Sequence, residues 1–231
     1  MIDKQVASLA EAVAGVKDGA TVLVGGFSAG DEPVALTEAL LGTGARDLTI
    51  VANGVGGPSR GIAALIREHR IAKIVCSYPR FVGGMAFGVA YKAGEIALEV
   101  VPQGTISERL RAAAAGLGGF YTRVSAGTLL GEGKETRLID GEPYVFEHPI
   151  KGDLALIGAH QADRWGNLVM RHSRRNFNPV MAQAATVSVA QVREMVPLGT
   201  FHPDNVHCQG IFVDRVVVVD PARENWNAQA S

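Results

Sequence analysis

The chain has 231 residues, of which 47% are hydrophobic, 19% charged and 6% aromatic, with a formal net charge of −1. Balanced charge and few aromatics exclude a basic nucleic-acid footprint, a base-stacking platform and a polybasic membrane surface. No apolar run reaches the about 18 residues that a membrane span needs, and the amphipathic, acid-containing start "MIDKQVASLAEAV" lacks the apolar core of an export signal.

The elements alternate along the chain. Val6–Val16 is periodic in apolar residues and predicts a helix. "ATVLVGGF" reads as a buried strand ending in a glycine turn, with Pro33 opening a helix to about Leu41. "RDLTIVANGVGG" repeats strand then glycine, and "SRGIAALIREHR" is helical. "IAKIVCSYP" is a third strand, "MAFGVAYKAGEI" a helix, "ALEVVPQGT" a fourth strand, and "ISERLRAAAAGLGGF" a helix stopped by glycines. This β-α alternation predicts an open, mostly parallel sheet with helices on both faces. After Tyr121 the chain becomes β-rich. "TRLIDGEPYVFEHPI" carries an Asp-Gly hairpin signal, and "GDLALIGAH" is a buried strand. "RWGNLVM" is short and extended, "PVMAQAATVSVAQV" passes from helix to strand, and "GIFVDRVVVV" is a last strand before a polar tail from Pro221. Without a linker, repeat or low-complexity tract, the expectation is one α/β domain over residues 1–231 with a β-rich second half.

Glycine is in excess, at 28 residues, and pairs recur at Gly25-Gly26, Gly56-Gly57, Gly83-Gly84 and Gly118-Gly119. Such pairs suit loops converging on a ligand, or tight strand–helix packing. The first turn does not have the G-x-G-x-x-G spacing, and no G-K-[ST] follows, so a dinucleotide or Walker site is not expected. Asp31 and Glu32 disfavour phosphate and suit either a dipole-complementing role or a site role. The turn can still present N–H groups to a carboxylate or oxyanion. Gln103 follows Pro102 at a strand's C-terminal end, where open α/β sheets bind ligands, and its amide donates without titrating. Thr105 or Ser107 is expected to cap the following helix. "HQADRWGNLVMRHSRRNFN" is dense in polar groups. Asp163-x-x-Gly166-Asn167 reads as a turn more readily than as catalytic machinery with His160 and Arg164. Arg171, Arg174 and Arg175 read as a solvated or subunit-facing cluster, or as ligands of an anionic cofactor. "HPDNVHC" holds metal-ligand types but reads as loop. Cys76 ends a buried strand and reads as an inert core thiol. With Cys208 it makes no C-x-x-C pair, in keeping with a reduced, cytoplasmic chain.

Taken together, "VGGFSAGDEP", "VVPQGTISERLRAAAAGLGGFYT", "GTLLGEGKETRLIDGEPYVFE", "ADRWGNLVMRHSRRNFNPVMA" and "GIFVDRVVVV" resemble the A-type (alpha) component of the family I CoA-transferases, from about residue 2 to 220. "ARDLTIVAN", "KIVCSYPR" and "ADRWGNL" carry a closer likeness to the members that act on 3-oxoadipate. The resemblance implies an open α/β sheet with a β-rich addition and a homologous B-type partner, commonly in an A2B2 heterotetramer. It implies CoA transfer from succinyl-CoA or a similar acyl-CoA to a carboxylic acid such as 3-oxoadipate or another 3-oxo acid. Coenzyme A is then a substrate, with no tightly bound cofactor and no metal. The implied route runs through an acyl anhydride and a thioester on a glutamate of the B-type partner, in a serine–glutamate turn that this chain lacks. On this chain the resemblance assigns Gln103 to the oxyanion, Gly25, Gly26 and Phe27 to the turn facing the active site, and Asn53 to the acyl pocket.

Four stretches depart from the family pattern. Asp31 and Glu32 add acids after Gly-Gly-Phe; Gly54 replaces the second residue of an Asn-Asn pair; Thr122–Gly127 replaces a Thr-Pro-Thr-Gly stretch; and "RFVGGMAF" differs. All fall in loops expected to touch the acyl group, so the acyl substrate is open to differ from 3-oxoadipate, with Arg123 as a candidate partner for a diacid carboxylate. The competing readings are a CoA-ester or ring-cleaving hydrolase of the same fold, and a non-catalytic binding module.

Overall fold

The computed structural model describes residues 2–27, 31–80 and 85–220. The expectations placed on Ser28–Gly30, Phe81–Gly84 and the tail from Pro221 lie outside the described residues.

A short helix α1 (Leu9–Ala12) precedes β1 (Thr21–Val24), α2 (Val34–Ala39), β2 (Leu48–Val51), α3 (Ile62–Arg67), β3 (Ile71–Cys76), α4 (Ala86–Lys92), β4 (Ala97–Val100) and α5 (Gln103–Ala114). The second half adds β5 (Phe120–Thr122), β6 (Thr136–Ile139), β7 (Glu142–Glu147), β8 (Gly152–Gly158), β9 (Gln161–Asp163) and β10 (Leu168–Val169). Helix α6 (Asn178–Ala184) then runs directly into β11 (Ala185–Val192), followed by β12 (Glu194–Val196) and β13 (Arg215–Val218). Seven strands form one sheet in the order β13-β11-β8-β1-β2-β3-β4, with every pairing parallel. The strand order reverses beside β1, which pairs with β2 on one side and β8 on the other. Two three-stranded sheets, β5-β7-β6 and β10-β9-β12, supply the β-rich addition.

Successive strand residues serve opposite faces, as a period of two requires. Val22 and Val24 join Leu36, Leu40, Leu65 and Phe87 in one core, whereas Leu23 joins Ile106, Leu110 and Met181 in the other. Helices cover both faces, so the strands read as unbroken apolar runs rather than alternating ones.

Three boundaries differ from expectation. The helix expected over Val6–Val16 shrinks to one turn. Gln5 bridges Val216, and the Val6 N–H bonds the Val216 carbonyl at 2.9 Å, so the preceding residues extend the sheet instead. Helix α5 begins at Gln103 with Pro102 as its N-cap. Thr105 and Ser107 therefore lie inside the helix and do not cap it; the φ of −52° at Pro102 suits the start of a helix. Gly210–Phe212 forms a 3-10 turn, leaving Arg215–Val218 as the last strand.

Candidate active site

Parallel pairing brings the C-terminal ends of β1, β2, β3 and β4 to one edge of the sheet, next to the strand-order reversal where such sheets hold ligands. The residues leaving those strands are Gly25-Gly26-Phe27, Ala52-Asn53-Gly54, Ser77-Tyr78 and Val101-Pro102-Gln103. Asn53 ties the four loops together. Its Nδ2 donates to the Phe27 carbonyl at 2.7 Å, and its Oδ1 accepts from Ser77 Oγ at 2.8 Å and from Gln103 Nε2 at 2.7 Å. The Ser77 and Tyr78 N–H groups both bond the Asn53 carbonyl at 3.1 Å. Asn53 is buried at 9% exposure, whereas Gln103 is exposed. A primary amide carries two N–H donors. One of those of Gln103 is held by Asn53, which fixes the direction of the other. Gln103 also starts α5, whose N-terminus carries no side-chain cap and adds the positive end of its dipole at the same edge.

The loops surround a cavity of about 270 Å³ lined by Gly25, Gly26, Phe27, Glu32, Asn53, Gly54, Val55, Gly56, Ile62, Tyr78 and Arg80, with Val24 and Ala52. Both glycines of the first turn are required by geometry. A Cβ on Gly25 would sit 2.1 Å from Asn178 Oδ1, and Gly26 has a φ of +107°. Asn178 is fully buried; its Oδ1 accepts the Gly158 N–H at 2.9 Å, and its Nδ2 donates to the Arg174 carbonyl at 2.9 Å. It braces the turn from beneath.

Glu32 lines the cavity, but its carboxylate is engaged elsewhere. It does not complement the dipole of the helix that follows it. Its side chain crosses to α3, where Oε1 accepts the Ile62 N–H at 2.7 Å, and the residue is 5% exposed. Asp31 accepts a hydrogen bond from Ser173 Oγ.

Six expected residues thus meet at one place: Gly25, Gly26, Phe27, Asn53 and Gly54 line the cavity, and Gln103 is bonded to its wall. Arg123 does not join them. It lies just beyond β5 and pairs with Glu142 of β7 at 2.9 Å. Of the four glycine pairs, Gly25-Gly26 and Gly56 of the second reach the cavity, while Gly119 packs on Phe146. In the polar stretch before α6, Asp163 Oδ1 accepts the Trp165 and Asn167 N–H groups at 2.9 and 3.1 Å, making the turn expected there. Arg164 donates to the Ile2 carbonyl, and His160 is not part of the cavity wall. Burial, assisted by Arg171 and Arg193, lowers the His160 pKa. Arg174 departs from a solvated cluster: it is 4% exposed and packs against Gly158. Burial pushes the Cys76 thiol up to about 11, as an inert core thiol requires. Sequence reading missed Ser77, Tyr78, Arg80 and Asn178. The available signal for the first three was that they follow an apolar strand at the same edge as the three loops already chosen.

A family profile described as Coenzyme A transferase matches residues 6–219. The chain belongs to the coenzyme A transferase family. This transferase is 49% identical over 230 residues to the A-type component of the 3-oxoadipate CoA-transferase of Pseudomonas putida, covering all of both chains. It is 50% identical to the protein of the same name from Acinetobacter baylyi over 219 residues, covering 95% of this chain and 96% of that one. An acyl-CoA transferase apoenzyme from Escherichia coli O157:H7 superposes with a TM-score of 0.85 at 27% identity. That alignment covers 99% of this transferase and 49% of the Escherichia coli chain, so the transferase spans about half the length of that solved relative. The comparisons favour the transferase over the hydrolase reading.

Proposed function

We propose that this chain is the A-type component of an enzyme that moves CoA from succinyl-CoA, or a similar acyl-CoA, to a 3-oxo acid such as 3-oxoadipate. A homologous B-type partner supplies the glutamate nucleophile, and the two assemble as A2B2 in the cytoplasm. Coenzyme A is a substrate, and no cofactor is held tightly. The names carried by the nearly half-identical relatives support the substrate class.

One observation carries the division of labour. The cavity is walled by oriented amides, yet the single lining carboxylate among the described residues, Glu32, is buried and engaged at the start of α3. The stretches Ser28–Gly30 and Phe81–Gly84, outside the described residues, contain no acid in their sequence. This chain therefore offers a site for a reacting carbonyl without a carboxylate displayed to attack it. A carboxylate oxygen from the partner adds to the thioester carbonyl. The C–S bond breaks, thiolate leaves, and an acyl anhydride remains. The thiolate attacks the glutamyl carbonyl of that anhydride, releasing the donor acid and leaving CoA on the partner. The acceptor acid then reverses both steps. Each addition places negative charge on an oxygen, and the second Gln103 N–H, with the positive end of α5, stabilises it more in the transition state than in the ground state. About 270 Å³ falls below the roughly 300–1,000 Å³ of sites for drug-sized ligands, which suits an acyl group with the nucleotide part of CoA outside.

The test is thioester transfer by the chain co-expressed with its candidate B-type partner, using succinyl-CoA against a panel of 3-oxo acids, diacids and acetate. Transfer by the complex and by neither chain alone is expected. CoA release without any acceptor would overturn the reading in favour of a hydrolase.

A further inference from the structure

The cavity contains one fixed cation among its described residues, Arg80, and no part of the proposed chemistry uses it. Arg80 lies in the "SYPR" segment after β3. The same wall holds Tyr78, Phe27, Val55 and Ile62, a mainly apolar surface suited to methylene groups. Among the described residues Arg80 has no hydrogen-bond or ion-pair partner. The other candidate cations do not line the cavity. Arg123 pairs with Glu142, and Arg174 is buried against Gly158. Arg171 and Arg175 lie on the exposed 3-10 turn before α6. The anion of the wall, Glu32, has its Oε1 on the Ile62 N–H.

A guanidinium at the rim of a mainly apolar cavity, unpaired among the described residues, is built for a planar anion, which it can bind through two parallel N–H donors. The reacting carboxyl or thioester carbonyl is taken by the amides of Gln103 and its helix. A monocarboxylic acyl group would leave Arg80 unused, whereas a dicarboxylic one carries a second carboxylate at the other end of its methylene chain. Resting on the reading of this cavity as the acyl site, we propose that Arg80 binds the distal carboxylate of a dicarboxylic acyl group and sets the preference for diacids over monoacids. The role that sequence offered to Arg123 passes to Arg80, because the fold carries Arg123 to the β5-β7-β6 sheet and leaves Arg80 in the wall.

The experiment uses the assembled complex with wild-type chain, Arg80→Gln, Arg80→Lys and Arg123→Met. Two readouts are taken: kcat/KM for 3-oxoadipate and for acetoacetate as acceptors, and calorimetric affinity for adipate and for hexanoate. Losing a charge-assisted bond at an exposed rim lowers the diacid values about 10- to 100-fold in Arg80→Gln. The monoacid values stay within about threefold, Arg80→Lys recovers part of the loss, and Arg123→Met leaves the diacid/monoacid ratio unchanged. An equal fall for both acids would place Arg80 in general support and overturn the proposal. So would an unchanged ratio in Arg80→Gln. If no acid is a substrate but adipate binds in an Arg80-dependent manner, the transferase reading fails while the diacid site stands. If adipate and hexanoate bind the wild-type complex alike, the diacid site fails whatever the activity.

Discussion

Replacing Gln103 separates the stability of this site from its chemistry. Gln103→Ala removes one 2.7 Å hydrogen bond to Asn53 Oδ1, at a side chain that is already exposed. Asn53 Oδ1 is not orphaned, because Ser77 Oγ still donates to it at 2.8 Å. The fold therefore loses about 0.5–1 kcal/mol. For a chain of this length, that lowers Tm by about 1–4 °C. The catalytic cost is larger, since deleting one preorganised oxyanion donor costs about 10²–10³ in kcat, or roughly 2.7–4 kcal/mol. Gln103→Glu sharpens the contrast. The carboxylate keeps the shape of the amide and sits in the first turn of α5, where an anion gains about 0.3–1 kcal/mol. Set against its repulsion from Asn53 Oδ1, that gain keeps Tm within about 4 °C of wild type. Transfer falls at least as far as in the alanine variant, because a donor becomes a negative charge beside a developing oxyanion. The assay is kcat for succinyl-CoA-dependent transfer, normalised to assembled complex by size-exclusion chromatography, with Tm measured on the same samples. A kcat within about threefold of wild type in either variant refutes the donor role. So does a loss that disappears on normalisation to assembled complex.

Further outcomes follow from the geometry. Gly25→Ala forces a Cβ to within 2.1 Å of Asn178 Oδ1 and breaks its bond to the Gly158 N–H, so urea unfolding should show a loss of about 2–4 kcal/mol. For Glu99, burial alone would raise the pKa above 4.5, but hydrogen bonds from Arg109 and Lys73 outweigh it and the pKa is lowered. Stabilisation from a lowered carboxyl is present above its unfolded value and lost as pH falls through the folded one. Glu99→Gln should accordingly melt below wild type at pH 7, with the gap closing as pH drops below 4.5; a gap independent of pH would refute the ion-pair account. Cys76 and Cys208, both pushed up to about 11 by burial, should resist iodoacetamide in the native chain at pH 8 and react after denaturation; rapid native alkylation of either would contradict their burial.

Period and punctuation made most of the architecture legible. Unbroken apolar runs ending in glycine or proline, separated by helical stretches, announced parallel strands covered on both faces, and the Asp140-Gly141 turn announced the β6–β7 hairpin. Three of the four loops that form the site were legible for the same reason, since in a parallel sheet every strand's C-terminal end arrives at one edge. The sequence by itself also settled the family, through motifs spread over nearly the whole chain. What it could not settle was which side chains meet. Glu32 reaches an N–H thirty residues on, Asn178 rises under Gly25 from the other half of the chain, and Gln191 of β11 accepts the Leu36 N–H at 3.2 Å. Gln103 was expected at a strand's C-terminal end and proved to be the first residue of a helix, which gives it a dipole as well as an amide. Arg80 and Arg123 are both arginines near strand ends, and nothing local distinguishes them. Only the strand order, β3 inside the main sheet and β5 in a separate one, places one in the cavity wall and the other on Glu142. Local propensity acts over a few residues, whereas these contacts are set by how strands distant in sequence are ordered side by side.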